Sequence, residues 1–150
     1  MVEVQALVSR SGFNIPRRQT SGVDYNRAAL LIAVVEKKLG YMLGQEDIYI
    51  NVAGGIKVEE PGADLAVVAA IASSFKNRPV SEDTVIIGEV GLAGEVRAVS
   101  HVEKRIQEAS KLGFAKAVIP YENAVDISGS AKIKLQGVKN IGEAVEAIIE

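Results

Sequence analysis

Val2-Glu3-Val4-Gln5-Ala6-Leu7-Val8 alternates apolar and polar side chains at period two, the pattern of a half-buried strand. From Asp24 the period changes: Tyr25, Ala28, Ala29, Ile32, Val35 and Leu39 recur at three- and four-residue spacing, the face of a helix with Asp24 as N-cap and Gly40 as its C-terminal stop. Between the two lies Arg10-Ser11-Gly12-Phe13-Asn14-Ile15-Pro16-Arg17-Arg18-Gln19-Thr20-Ser21-Gly22, whose Gly, Pro and polar residues read as a long hairpin or exposed loop.

The same switching continues outward. Asp47-Ile48-Tyr49-Ile50-Asn51-Val52-Ala53 alternates until Gly54-Gly55 interrupts it, and Pro61-Gly62-Ala63-Asp64 opens a helix to about Phe75. That helix is apolar nearly all round (Leu65 to Ala72), so it is expected to be central. Thr84–Val90 and Gly94–Val99 read as two strands joined through Gly91-Leu92-Ala93. Ser100 with Glu103 matches a capping box for a helix ending at Gly113. Ala117-Val118-Ile119 reads as a buried strand stopped by Pro120, Ile133 and Leu135 as another strand, and Asn140 with Glu143 caps a last helix. The expected fold is α/β, an α+β sandwich of mixed sheets packed with about four helices, and residues 1–150 form one domain.

With 150 residues, 48% of them hydrophobic and 24% charged, the composition is that of a folded globular domain and far from the disordered signature. There is no cysteine and one histidine, which excludes disulfides, thiolate metal sites and multi-histidine metal clusters. Val2–Val8 lacks the basic flank and unbroken apolar run of a signal peptide, and no segment has the length of about 18 apolar residues needed to span a membrane. The expected location is the cytoplasm, with no membrane partner. A net charge of −2 argues against indiscriminate coating of nucleic acid but leaves room for a local patch.

Motifs for chemistry are few. No glycine-rich turn leads into Gly-Lys-Ser or Gly-Lys-Thr, so ATP hydrolysis is not expected of this chain. Gly54-Gly55, without a following lysine, is a weak signal for a phosphate cradle. Ser100 and His101 are neighbours, but a nucleophile–base pair needs a spatial arrangement with an orienting third group, so capping is the better reading of Ser100. Asp64 likewise reads as a cap on an apolar helix. The basic residues are more informative: residues 1–40 hold Arg10, Arg17, Arg18, Arg27, Lys37 and Lys38 against Glu3, Asp24 and Glu36. Arg10, Arg17, Arg18 and Arg27 are candidate phosphate contacts, against the simpler reading of surface arginines that serve solubility or a neighbouring subunit.

Four stretches carry a resemblance: Val2–Val8 with Asp24-Tyr25-Asn26-Arg27; Asn51–Gly55 through Glu60-Pro61-Gly62-Ala63-Asp64-Leu65-Ala66; Gly88-Glu89-Val90-Gly91-Leu92-Ala93-Gly94-Glu95-Val96-Arg97; and Val118-Ile119-Pro120-Tyr121-Glu122-Asn123. In that order they resemble the C-terminal Lon-protease-like domain of the RadA family of bacterial DNA repair and recombination ATPases. In Lon peptidases a Pro-Ser-Ala-Gly motif supplies the nucleophilic serine, and a lysine just inside the helix after the hairpin supplies the base. The resemblance sets Gly62 at the serine position and Glu103 at the lysine position, so both catalytic groups are replaced and no catalytic residue is expected.

The resemblance further implies a role in hexameric ring assembly, with single-stranded or branched DNA and the recombinase RecA as partners during branch migration. ATP and zinc would belong to other parts of such a protein, with no cofactor or metal in this domain; a chain opening within a strand after Met1 fits an excised domain. Two alternatives remain: a pure oligomerisation scaffold without DNA contact, and a Lon-type serine peptidase with a relocated nucleophile, for which Ser73, Ser74 and Lys76 are the nearby serine and lysine residues.

Overall fold

The computed structural model describes residues 1–12, 14–127 and 132–149; Phe13, within the expected loop, lies outside them. In chain order the elements are β1 (Val4–Arg10), β2 (Arg18–Ser21), α1 (Tyr25–Leu39), β3 (Glu46–Val52), α2 (Asp64–Lys76), β4 (Thr84–Ile86), β5 (Glu89–Val90), β6 (Val96–Arg97), α3 (Val102–Lys111), β7 (Lys116–Pro120), α4 (Tyr121–Ile127), β8 (Lys134–Val138) and α5 (Ile141–Ile148), with single 3-10 turns at Ala53–Gly55 and Pro61–Ala63. The protein is mixed α/β, as its alternating periods require.

α1 begins and ends where its caps stand. The Asp24 side chain accepts from the Arg27 amide, and Gly40 closes the helix in the left-handed region. Asn140 accepts from the Glu143 amide at the start of α5, and the Glu143 carboxylate accepts from the Lys139 amide.

β3 is the centre of the first sheet, antiparallel to β1 and parallel to β2. The segment after β1 is therefore not a hairpin: it carries the chain around the end of β3, because β3 takes the hydrogen bonds that β1 and β2 would otherwise share. The inner face of this sheet, with Val4, Ala6, Val8, Ile48 and Ile50, packs with α1, α2 and α5 in the main core. The second sheet is parallel, in the order β4-β7-β8. β7 is buried on both faces: Val118 belongs to the main core, while Ala117 and Ile119 join Val102, Ile106 and Ala109 of α3 and Ile127 of α4 in a second cluster. The layers run sheet, three helices, sheet, two helices.

Three further expectations change. α4 adds a fifth helix that its short amphipathic pattern did not announce. The strand expected over Thr84–Val90 is two strands in different sheets, bent at Ile87-Gly88: the Ile87 amide still donates to Val118 O, while β5 leaves to pair with β6. The box of Ser100 and Glu103 does not form, because His101, at φ 58°, takes the cap position and α3 starts one residue later.

Gly22 makes the turn from β2 into α1 at φ +88°, where a Cβ would lie 2.5 Å from Ile56 O and 2.7 Å from Val52 Cβ. Both contacts are with groups that cannot swing away. Gly22→Ala should lower stability by on the order of 2–3 kcal/mol, seen as a reduced urea midpoint with unchanged slope. Gly12→Ala, with nothing within 4 Å of its Cβ, should leave that midpoint nearly where it was.

Candidate functional site

The segment Glu60–Asp64 holds Gly62, the residue that the resemblance sets at the serine position of Lon peptidases. Its backbone is fixed by reciprocal bonds with the bend at Gly88: the Gly88 amide donates to Gly62 O at 2.9 Å, and the Leu65 amide donates to Gly88 O at 3.0 Å. The approach needs glycine at 88, since a Cβ there would lie 2.9 Å from Val96 Cγ1 and 3.2 Å from Leu65 Cδ2. Gly62 is buried, and a Cβ on it would meet Glu60 Oε1 at 3.1 Å and Arg105 Nη1 at 3.4 Å. Those two groups form an ion pair, and Arg105 Nε also donates to Ser100 O at 3.0 Å. Beside Gly62, then, stands a guanidinium–carboxylate pair. Glu103 is exposed in the first turn of α3. Glu60 and Arg105 escaped sequence reasoning because nothing in their spacing links residues so far apart.

Asp64 is not a cap. It is 4% exposed and is the first residue of α2, whose cap position is Ala63. Its carboxylate takes Arg27 in a two-pronged contact, Nε donating to Oδ1 at 3.0 Å and Nη2 donating to Oδ2, and also accepts from the Val90 amide at 3.1 Å. Arg27 Nη2 donates further to Val90 O at 3.1 Å. The hydrogen bonds to Asp64 raise the Arg27 pKa above its ordinary value, against the opposing effect of burial. A cleft of about 320 Å³ adjoins this pair, lined among others by Asp24, Glu59, Glu60 and Glu89. Its carboxylates outnumber its one arginine, and its lining residues include no serine and no lysine.

Ser73, Ser74 and Lys76 have structural work at the far end of α2. Ser74 Oγ accepts from the Val8 amide at 2.9 Å, Ser73 Oγ donates to Arg78 O at 2.5 Å, and Lys76 Nζ stands 4.9 Å from the centre of the Tyr41 ring. Ser100 and His101 are both exposed.

The four arginines divide. Arg10 ends β1 opposite Glu46, and Arg18, preceded by Arg17, opens β2 opposite the start of β3, so these three share one end of the first sheet. Arg27 lies past the other end of β2. Arg18 is spent within the fold: Nη1 donates to Glu46 O and Nη2 to Leu43 O at 3.0 Å. Arg17 donates its amide to the buried Asp47 at 2.7 Å, while its side chain and that of Arg10 are exposed. Arg18 and Arg27 thus hold the protein together, and Arg10 and Arg17 remain outward.

The Arg27–Asp64 contact is unequal, because the arginine head is partly exposed and the carboxylate is buried. Arg27→Met strands a buried charge and should cost about 2–4 kcal/mol. Asp64→Asn keeps an acceptor for Val90 and should cost about 1–2 kcal/mol. Chemical denaturation of the two variants measures the order, and a larger loss for Asp64→Asn would contradict it.

The family model described as subunit ChlI of Mg-chelatase matches residues 2–123. The DNA repair protein RadA of Bacillus subtilis is 48% identical over 145 residues, 97% of this chain and 32% of RadA. RadA of Halalkalibacterium halodurans is 45% identical over 149 residues, 99% of this chain and 33% of the relative, and RadA of Listeria monocytogenes serovar 1/2a 44% over 146 residues, 97% and 32%. The chain spans about a third of the length of these curated relatives. Identity of this order across nearly the whole chain bears out the resemblance to RadA, and the chain belongs to the family described as subunit ChlI of Mg-chelatase.

Proposed function

We propose that this chain is a non-catalytic Lon-like module of a RadA-type DNA repair and recombination protein, supporting ring assembly and DNA contact. The observation that carries this reading is the state of the nucleophile position: Gly62 has no hydroxyl, and Glu60 and Arg105 pair beside it. Serine peptidases need a hydroxyl activated by a neighbouring base. A glutamate at 103 offers a charged carboxylate where a neutral amine would have to accept a proton. Ser73, Ser74 and Lys76, the alternative nucleophile and base, hold other parts of the fold.

In the full-length protein the module would support a hexameric ring, with single-stranded or branched DNA and RecA as partners in the cytoplasm, and ATP and zinc would be bound by other parts. Ring closure requires a head-to-tail interface with two different patches on each copy. Among the described residues no group of three His, Cys, Asp or Glu is arranged for a metal, and no helix is long and apolar enough to cross a membrane.

Incubation with unfolded casein and a fluorophosphonate probe tests the absence of peptidase chemistry. The expected outcome is intact casein and no labelled serine; reproducible cleavage or labelling would overturn it.

Arg10 and Arg17, exposed at one sheet end, are the best candidates for DNA contact. Such contact is electrostatic, and on single-stranded DNA each neutralised phosphate contributes about −0.7 to the slope of log affinity against log salt. Arg10→Ala with Arg17→Ala should therefore weaken binding and flatten the slope by about 1.4, roughly 0.7 for each of two phosphates. The inward commitment of Arg18 and Arg27 favours a second reading, a scaffold without DNA contact, and an unchanged affinity and slope would select it.

A further inference from the structure

The first sheet has helices on one face only. Its register sets the outer side chains in two rows across three strands: Leu7, Tyr49 and Gln19 in one, and Gln5, Asn51 and Ser21 in the next. Leu7 is 56% exposed, Gln5, Gln19, Ser21 and Asn51 are exposed, and Tyr49 on the central strand is half-buried between its neighbours. Arg17 stands at one end of this surface, beside Asp47, which pairs with Ser9 in a further outer row, and Glu3, which accepts from the Gln5 side-chain nitrogen, stands at the other; Arg10, in step with Val4, Ala6 and Val8, belongs to the inner side of β1.

We infer that this open face is a platform for single-stranded nucleic acid, with one base stacked against Tyr49 and Leu7. This rests on the DNA-contact reading above and names the surface and strand state it would use. An aromatic ring on a sheet accepts the face of any base, and cations beside it track the phosphates. The flanking amides and hydroxyls of Gln5, Gln19, Asn51 and Ser21 both donate and accept, so they serve base edges of either pattern. Arg17 is placed for an adjoining phosphate, and Arg10 lies at the same end of the sheet on its other side. A protein partner fits less well: a stable interface buries about 800 Å² on each side around an apolar centre, whereas these rows offer one aliphatic and one aromatic side chain among amides. Duplex DNA keeps its bases stacked inside and would present only phosphates, so the face discriminates single from double strands.

The test measures binding of the 150-residue chain to an oligothymidylate and to a duplex of equal length, across a salt series. Tyr49→Ala and, separately, Leu7→Glu should weaken oligothymidylate binding by roughly five- to fifty-fold. Duplex binding should change little, Tyr49→Ala should leave the salt slope unaltered, and Tyr49→Phe should retain affinity. Leu7 is exposed enough that its replacement spares the core, which separates loss of the platform from loss of the fold; circular dichroism checks both variants. If Tyr49→Ala and Leu7→Glu bind oligothymidylate as the parent does while the Arg10 and Arg17 variant is weakened, the platform is wrong and the electrostatic contact stands. If the parent binds neither ligand, the DNA-contact reading fails and the platform fails with it.

Discussion

Arg27 reaching from α1 into Asp64 at the head of α2 is the contact on which the arrangement of the rest depends. Three elements distant in sequence meet there: α1 gives the guanidinium, α2 the carboxylate, and β5 both its Val90 amide and carbonyl. A buried carboxylate is tolerated only where its lone pairs are filled, and here Arg27 and Val90 fill them. The start of α2 is thereby tied to the β5–β6 hairpin, and the bend at Gly88 meets Gly62 at a fixed distance. Arg105, from α3, holds the same segment from the other side through Glu60. The turn that the resemblance equates with the nucleophile turn of Lon peptidases is held by two ion pairs.

The clamp holds Glu60–Asp64 against β5 and α3. The central layer of α1, α2 and α5 separates two sheets that end up unlike one another. The parallel sheet is covered on both faces, with β7 contributing to two clusters of buried side chains. The β1-β3-β2 sheet is covered on its inner face only, and its outer side chains remain in solvent. The proposed DNA contact uses this outer face and its arginine-bearing end.

Much of this was legible from local pattern. The caps at Asp24, Gly40 and Asn140 form as read because capping depends on residues three or four apart. The apolar girth of α2 foretold its central position. What failed was non-local. Asp64 looked like a cap, and only the fold brings Arg27 and Val90 to it. Ser100 and Glu103 had the spacing of a capping box, but the left-handed turn at His101 shifted the helix start by a residue. β3 inserts between β1 and β2, so of the two readings of the segment between them, hairpin or exposed loop, the loop is the one that forms. Of the four candidate arginines, Arg18 and Arg27 turn inward, which charge counting along the chain has no means to detect. α4 is too short for periodicity to separate it from a loop, and the Lon-like register of Gly62 and Glu103 came from resemblance, since neither residue carries a chemical signal of its own.

Hydrogen–deuterium exchange of the chain with and without saturating single-stranded DNA tests most directly the claim that function lies on the sheet and not in the Glu60–Asp64 turn. The account predicts slowed exchange in β1, β2 and β3 and in the segment joining β1 to β2, with Glu60–Leu65 unchanged. Protection confined to Glu60–Leu65 and the start of α3, with the first sheet unaffected, would contradict it.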